Sequence, residues 1–278
     1  MNKKAFVVIS SILASAAMAV ADVAVTPVNA APAQAVQPAA PAKEVNTLVE
    51  SDLFDGSVVN NLSISAAVAY ESEYIFRGKY VSGHTISPIV DINYDLGYGF
   101  AAYAGYWGLY GVDNSFGEND YYMGVAYTYA DITLDLGYLG YTYNDDSRDE
   151  HEFMAKVSYD TTELLGDFNV SPYAAFFYNN TLLTRTYEIG LSYSAPITKW
   201  LIDENWGSIE TSAYVGIVDD NRDGGYTYGG ISADVVVAVT NNMNVSLGIR
   251  WACNNDNDDA ISQKEQNLWF GTAVSFGF

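Results

Sequence analysis

Residues 121–138 read YYMGVAYTYADITLDLGY, and the order of apolar and polar side chains in this stretch decides the fold. Tyr121, Met123, Val125, Tyr127 and Tyr129 recur at every second position. After Ala130 and Asp131 the same spacing resumes in Ile132, Leu134, Leu136 and Tyr138. A period of two puts successive side chains on opposite faces of an extended strand, and a two-residue break between two such runs reads as a hairpin turn. One face of this hairpin is continuously apolar, while the other carries Asp135.

The pattern extends in both directions. Runs of the same period cover residues 62–76, 86–96, 100–110, 153–159, 168–178, 187–193, 209–217, 231–239, 243–251 and 268–278. With the hairpin this makes about twelve strands, an even number that lets both chain ends lie on one side of a membrane. Short breaks at 97–99, 130–131 and 240–242 alternate with longer polar ones at 111–119, 144–150, 219–225 and 253–264, as periplasmic turns alternate with external loops. Two connections depart from that scheme: 180–183 is short for an outer loop and 196–206 is long for an inner turn. In the latter, Ile197, Trp200 and Leu201 have the spacing of a small interfacial helix. The fold expected is all-β, an antiparallel transmembrane barrel. A secreted β-sandwich is the competing architecture.

Lys3 and Lys4 precede an apolar run ending in small residues near Ala21, the layout of a signal peptide over residues 1–21. Residues 22–45 are an Ala/Pro-rich tract that reads as a disordered periplasmic linker. Residues 46–61 are a short helix or a plug segment, and 62–278 form the barrel. The single cysteine, Cys253, excludes an intramolecular disulfide. Twelve basic against 34 acidic side chains, a formal charge of −22, exclude electrostatic nucleic-acid binding.

The positions of opposite parity define a lumen. They include Glu71, Glu73, Asp91, Asp95, Asp131, Asp135, Glu152, Asp160, Glu188, Glu210 and Asp234 against Arg77, Lys79, Lys156 and Arg250. Such an acidic excess would draw cations into a conducting pore. Within SEYIFRGKY (72–80), a first strand running through residue 78 turns Ser72, Tyr74 and Phe76 toward lipid. Glu71, Glu73, Arg77 and Lys79 then face inward, so that the cations meet carboxylates.

Two further site types are weighed. Asp219, Asn221 and Asp223 with Gly224 form D-x-N-x-D-G, the opening of a calcium loop, but Gly230 stands where that loop needs its closing acid. Calcium is the one cofactor the external loops suggest. His151 beside Glu150, Glu152 and Ser147 is the only grouping with the elements of a hydrolase, and a surface histidine in a charged loop explains it more simply. The expectation is a protein that is not an enzyme.

Tyr74-Ile75-Phe76-Arg77-Gly78 resembles the Y-x-F-R-G element of the TorF-type porins, uncharacterised Gram-negative outer-membrane proteins. Gly99, Phe100, Tyr103, Gly105, Trp107 and Gly108 are similar to that family's G-F-Y-x-G-x-W-G, with two residues inserted after Phe100. Leu134 to Tyr143 is similar to its glycine-tyrosine strand. The resemblance implies a porin and supplies no catalytic residues. The chain ends at Phe278 with Val274 and Phe276 on the same face, and this resembles the C-terminal signal read by barrel-assembly machinery. Lipopolysaccharide, membrane lipid and small solutes or ions are the other partners expected. A cation-preferring diffusion channel is the favoured function, with a non-conducting structural or adhesive barrel as the alternative.

Overall fold

The computed structural model describes residues 61–113, 116–144, 149–161, 165, 170–197, 207–220, 224–256 and 266–278. The expected signal peptide and linker lie outside these residues, as do the segment 46–60 and most of the helix expected at 196–206. Twelve strands close into one barrel: β1 (Leu62–Glu71), β4 (Thr85–Gly97), β5 (Phe100–Gly111), β6 (Gly117–Tyr129), β7 (Ile132–Tyr143), β8 (Glu150–Tyr159), β9 (Val170–Asn179), β10 (Thr184–Pro196), β11 (Gly207–Asp219), β12 (Tyr226–Thr240), β13 (Met243–Asn254) and β14 (Gln266–Gly277). Two short strands, β2 (Tyr74–Phe76) and β3 (Lys79–Ser82), form a separate sheet.

Every barrel strand pairs antiparallel with its neighbours, and β1 closes the ring by pairing with both β4 and β14. The Phe278 amide donates to the Ile64 carbonyl at 2.9 Å, so the last residue is stitched to the first strand. Closure leaves no row of unpaired backbone groups, the condition for a sheet to stand in hydrocarbon. Both described ends, at residues 61 and 278, lie at one end of the barrel (the terminal end). The strand ends at Glu71 and Thr85, Gly111 and Gly117, Tyr143 and Glu150, Asn179 and Thr184, Asp219 and Tyr226, and Asn254 and Gln266 lie at the other, the loop end.

The alternation read in the sequence is physical. Along β8, EHEFMAKVSY, buried and exposed residues alternate without a break up to the last position. Leu134, Leu136, Ile189, Val215, Ile231, Leu247 and Leu268 are among the apolar side chains left outside. An apolar exterior of this kind is stable only against an apolar solvent. The short link 180–183 is feasible at the loop end because the Asn179 carboxamide oxygen accepts from the amides of Thr181 and Leu182, at 3.0 and 2.9 Å, and Leu183 takes a left-handed φ of 63°.

One strand departs from expectation. β1 ends at Glu71 and does not run through residue 78. The residues after it leave the wall, and Tyr74, Ile75 and Phe76 are all buried, so Tyr74 and Phe76 do not face lipid. The reason is the dipeptide Arg77-Gly78, whose φ values of 42° and 80° form a two-residue turn with positive φ at both centres. That turn matches the twist of a hairpin and reverses the chain. Phe76 pairs with Lys79 and Ile75 with Tyr80.

Candidate functional site: a luminal hairpin over an acidic ring

The β2–β3 hairpin lies inside the loop-end half of the barrel, and its contacts reach around the wall. Tyr74 packs against Trp107 of β5 and Phe116, with ring centroids 5.8 and 5.9 Å apart. Arg77 Nη2 donates to both carboxylate oxygens of Glu152 on β8 at 3.2 Å, and the guanidinium lies 5.1 Å from the ring centre of Phe177 on β9. Lys79 sits 4.2 Å from the ring centre of Tyr226 on β12 and forms an ion pair with Asp256 at 2.5 Å. The Gly78 carbonyl accepts from Asn254 of β13 at 2.7 Å and Asn267 of β14 at 3.5 Å. The hairpin therefore spans the lumen, and it is held there by side chains rather than by a ladder to the wall.

Around and below it runs a belt of carboxylates held by tyrosines and cations. Tyr122 donates to Asp91, Tyr103 to Asp135 at 2.8 Å, and Tyr173 and Tyr228 to the two oxygens of Glu188 at 2.8 and 2.7 Å. Lys156 lies 4.0 Å from the ring centre of Tyr173. Arg250 donates to Asp234 at 2.7 Å and lies 3.7 Å from Glu71. The tyrosines lie across glycines of adjacent strands. A Cβ at Gly105 would run into Tyr122, one at Gly190 into Tyr173 and one at Gly216 into Tyr228. Interlocked tyrosine and glycine fill the barrel at this level, as aromatic rings do over strand glycines.

Toward the terminal end the lining changes to small hydroxyls. Ser63, Ser65, Ser171, Ser192, Ser208, Ser212 and Ser232 occupy luminal positions and are only half-buried. Glu210, also half-buried, accepts from Ser208 at 3.3 Å. Asp95 caps the tight turn after β4 by accepting from the Gly97 amide at 2.7 Å. Asp131 and Asp160 lie at the same rim, joined by a backbone bond from the Asp160 amide to the Asp131 carbonyl. The barrel is thus aromatic and charged inside the loop end and lined by smaller, mostly polar side chains toward the terminal end, where Asn93, Thr133, Ser158, Asn244 and Ser246 are buried beside the half-buried serines.

The inner parity read in the sequence places Glu71, Asp91, Asp135, Lys156, Glu188, Glu210, Asp234 and Arg250 on the luminal face. Arg77 and Lys79 enter the lumen on the hairpin instead of on the wall, and Glu73 lies in the link leading to it. Three luminal acids escaped the reading: Glu118, Asp120 and Glu150 are fully buried at the loop end. Asp120 stands opposite Tyr141, which stands opposite Glu150, and Glu118 stands opposite Tyr143. Glu118 and Asp120, two residues apart on one face, lie side by side with Glu150 close to both, so three acids crowd one buried place. The sequence placed Glu118 and Glu150 in or beside external loops, although Glu118 and Asp120 share the parity opposite to Tyr121 and Met123.

Of the two further groupings weighed from the sequence, the calcium loop lies largely outside the described residues and the histidine grouping is divided by the wall. Asn221 and Asp223 lie outside the described residues, and Asp219 is engaged with Arg185 at 3.4 Å. Among the described residues no three acidic, histidine or cysteine side chains are grouped to hold a metal. His151 points out of the wall, where its Nδ1 meets the Tyr138 hydroxyl at 2.7 Å, whereas Glu150 and Glu152 point inward. The wall separates the imidazole from both acids. Ser147 lies outside the described residues.

No protein-family model matches the chain, and no curated protein matches its sequence. The resemblance to the TorF-type porins rests on the residues quoted for it. Solved structures do match. An outer-membrane channel from Pseudomonas putida F1 superposes with a TM-score of 0.51 at 10% identity, over 78% of this chain and 96% of that one. The NanC porin gives 0.49 at 10% identity over 77% and 98%, and the KdgM porin 0.47 at 7% over 78% and 99%. At these identities the likeness is one of fold: the chain has the closed antiparallel barrel of outer-membrane channels.

Proposed function

We propose that the protein is a porin-like channel of the bacterial outer membrane, passing small hydrophilic solutes by diffusion with a preference for cations, and that the β2–β3 hairpin is its constriction. The observation that carries this reading is the asymmetry of the lumen. A barrel serving only as a scaffold has no need of a hydroxyl-lined half beneath a hairpin held by side chains and not by a ladder to the wall. Carboxylates outnumber the four luminal cations Arg77, Lys79, Lys156 and Arg250, so the field along the path favours positive solutes. The apolar exterior, the closed sheet and the signal-like N-terminus support the outer-membrane location. The exposed aromatic end at Phe278 is the segment that barrel-assembly machinery would engage.

The dense packing of the hairpin favours a second reading, a non-conducting structural or adhesive barrel. Planar-bilayer recordings of the refolded mature chain under a salt gradient separate the two, with a variant in which residues 73–82 are replaced by a flexible linker as the second arm. The channel reading expects small cation-selective steps from the wild type and larger ones from the variant. Silence from both folded proteins would leave the structural barrel.

A further inference from the structure

The outer wall carries a feature that diffusion through the lumen does not use. At the loop-end half, across β9 to β13, the apolar face is interrupted by a groove of about 720 Å³ lined by Ala174, Ile189, Val215, Ile217, Gly229 and Cys253. It exists because Gly229 and Ala174 supply almost no side chain where the surrounding positions carry branched or aromatic ones. Gly229 stands between Val215 of β11 and Cys253 of β13, and Tyr187 stands beside Ile217. A recess of this size in a hydrocarbon-facing wall is within the range of ligand pockets, and in a bilayer it is filled by hydrocarbon rather than by water.

The charge above the groove specifies which hydrocarbon. Of the five described cations, Arg77, Lys79, Lys156 and Arg250 are buried in the lumen. Arg185 alone is on the outer face. It occupies the same face of β10 as Tyr187 and Ile189, which by the rise of a strand lie about 7 and 13 Å below it. Its pairing with Asp219, at 3.4 Å between two roughly half-exposed side chains, is of the weak surface kind that another anion can replace. A guanidinium presents paired donors that match phosphate.

We propose that this groove is a binding site for a phosphorylated, acylated lipid of the outer leaflet, with its phosphate on Arg185 and one acyl chain lying over Gly229. The inference rests on the outer-membrane reading above, which sets the loop end in the outer leaflet. Cys253, the chain's only cysteine, lies in the groove and provides a probe site. The mature chain, labelled there with a benzophenone maleimide, is inserted into phosphatidylcholine vesicles containing a minority of lipid A, irradiated, and its adducts are weighed by mass spectrometry. The expected result is lipid A adducts several-fold above its share of the vesicle. R185Q should return them to that share without changing the heat-modifiable mobility of the folded barrel, and G229F should block adducts of either lipid. Adducts in proportion to bulk composition, or equal enrichment in R185Q, would overturn the site. So would a dimer band, which would give the groove to a second copy of the chain. Wild type that inserts but shows no enrichment refutes the lipid site alone, whereas wild type that will not enter the bilayer refutes the outer-membrane reading with it.

Discussion

Arg77 and Asp120 are both ionisable side chains enclosed by the barrel, and their surroundings give mutations there opposite signs. Arg77 is nearly inaccessible, but both oxygens of Glu152 meet one of its terminal nitrogens and aromatic rings lie beside it. E152Q would leave the guanidinium enclosed without its counter-charge, and breaking one side of a buried pair costs about 3–5 kcal/mol. A urea unfolding curve of the barrel in micelles should move to lower denaturant by that amount; an unchanged midpoint would mean that Arg77 is neutralised elsewhere. Asp120 is fully buried, and the ionisable groups beside it include two further acids, Glu118 and Glu150. D120N keeps the shape and removes the charge, so the same measurement should show a gain of about 1 kcal/mol or more. A loss would reveal a partner that requires the anion. The sequence made Lys156, Arg250 and Asp234 legible because they sit mid-strand, where parity is unambiguous. Glu118 and Glu150 were misread because they stand near strand ends, where a charged residue looks the same whether it belongs to a loop or to a lumen.

The twelve wall strands were readable because a sheet with lipid on one side and a crowded lumen on the other must alternate, and each short turn interrupts that alternation visibly. The hairpin was not readable by the same rule. Tyr74 and Phe76 alternate as well as any lipid-facing pair, and period alone cannot tell an apolar face that meets hydrocarbon from one that meets Trp107 and Phe116. The signal that did exist was Arg77-Gly78, a two-residue turn less familiar than Asn-Gly. Gly78 also decides whether the hairpin can dock. Its φ is +80°, and a side chain there would run into the carbonyl of Cys253. G78V should therefore unseat the hairpin while leaving the wall ladders intact. The expected outcome is an unchanged circular-dichroism strand signal, trypsin cleavage near Lys79 that the wild type resists, and a larger single-channel conductance. Resistance to trypsin in G78V would show that the hairpin is held by its flanking contacts alone.

Across the whole molecule, the proposed cation preference would arise either from the summed field of the lumen or from a single narrow point. Asp91, Asp135 and Glu188 are each held by tyrosine hydroxyls, and Asp234 by Arg250, so the belt places fixed charge around the circumference instead of at one gate. Half-exposed Glu210 and the rim acids Asp95, Asp131 and Asp160 continue the same sign toward the terminal end. A distributed field would act on ions along a solvated path, and salt screens it: the Debye length falls from about 10 Å at 0.1 M to about 3 Å at 1 M. The cation-to-anion permeability ratio, read from reversal potentials, should therefore decline markedly over that range. It should also fall toward unity when Asp91, Asp135 and Glu188 are replaced together by Asn, Asn and Gln, which can still accept from their tyrosines. A ratio indifferent to salt would instead locate selection at the hairpin, where Arg77 and Lys79 are dry and unscreened. In that case neutralising Lys79, and not the three acids, would change the reversal potential.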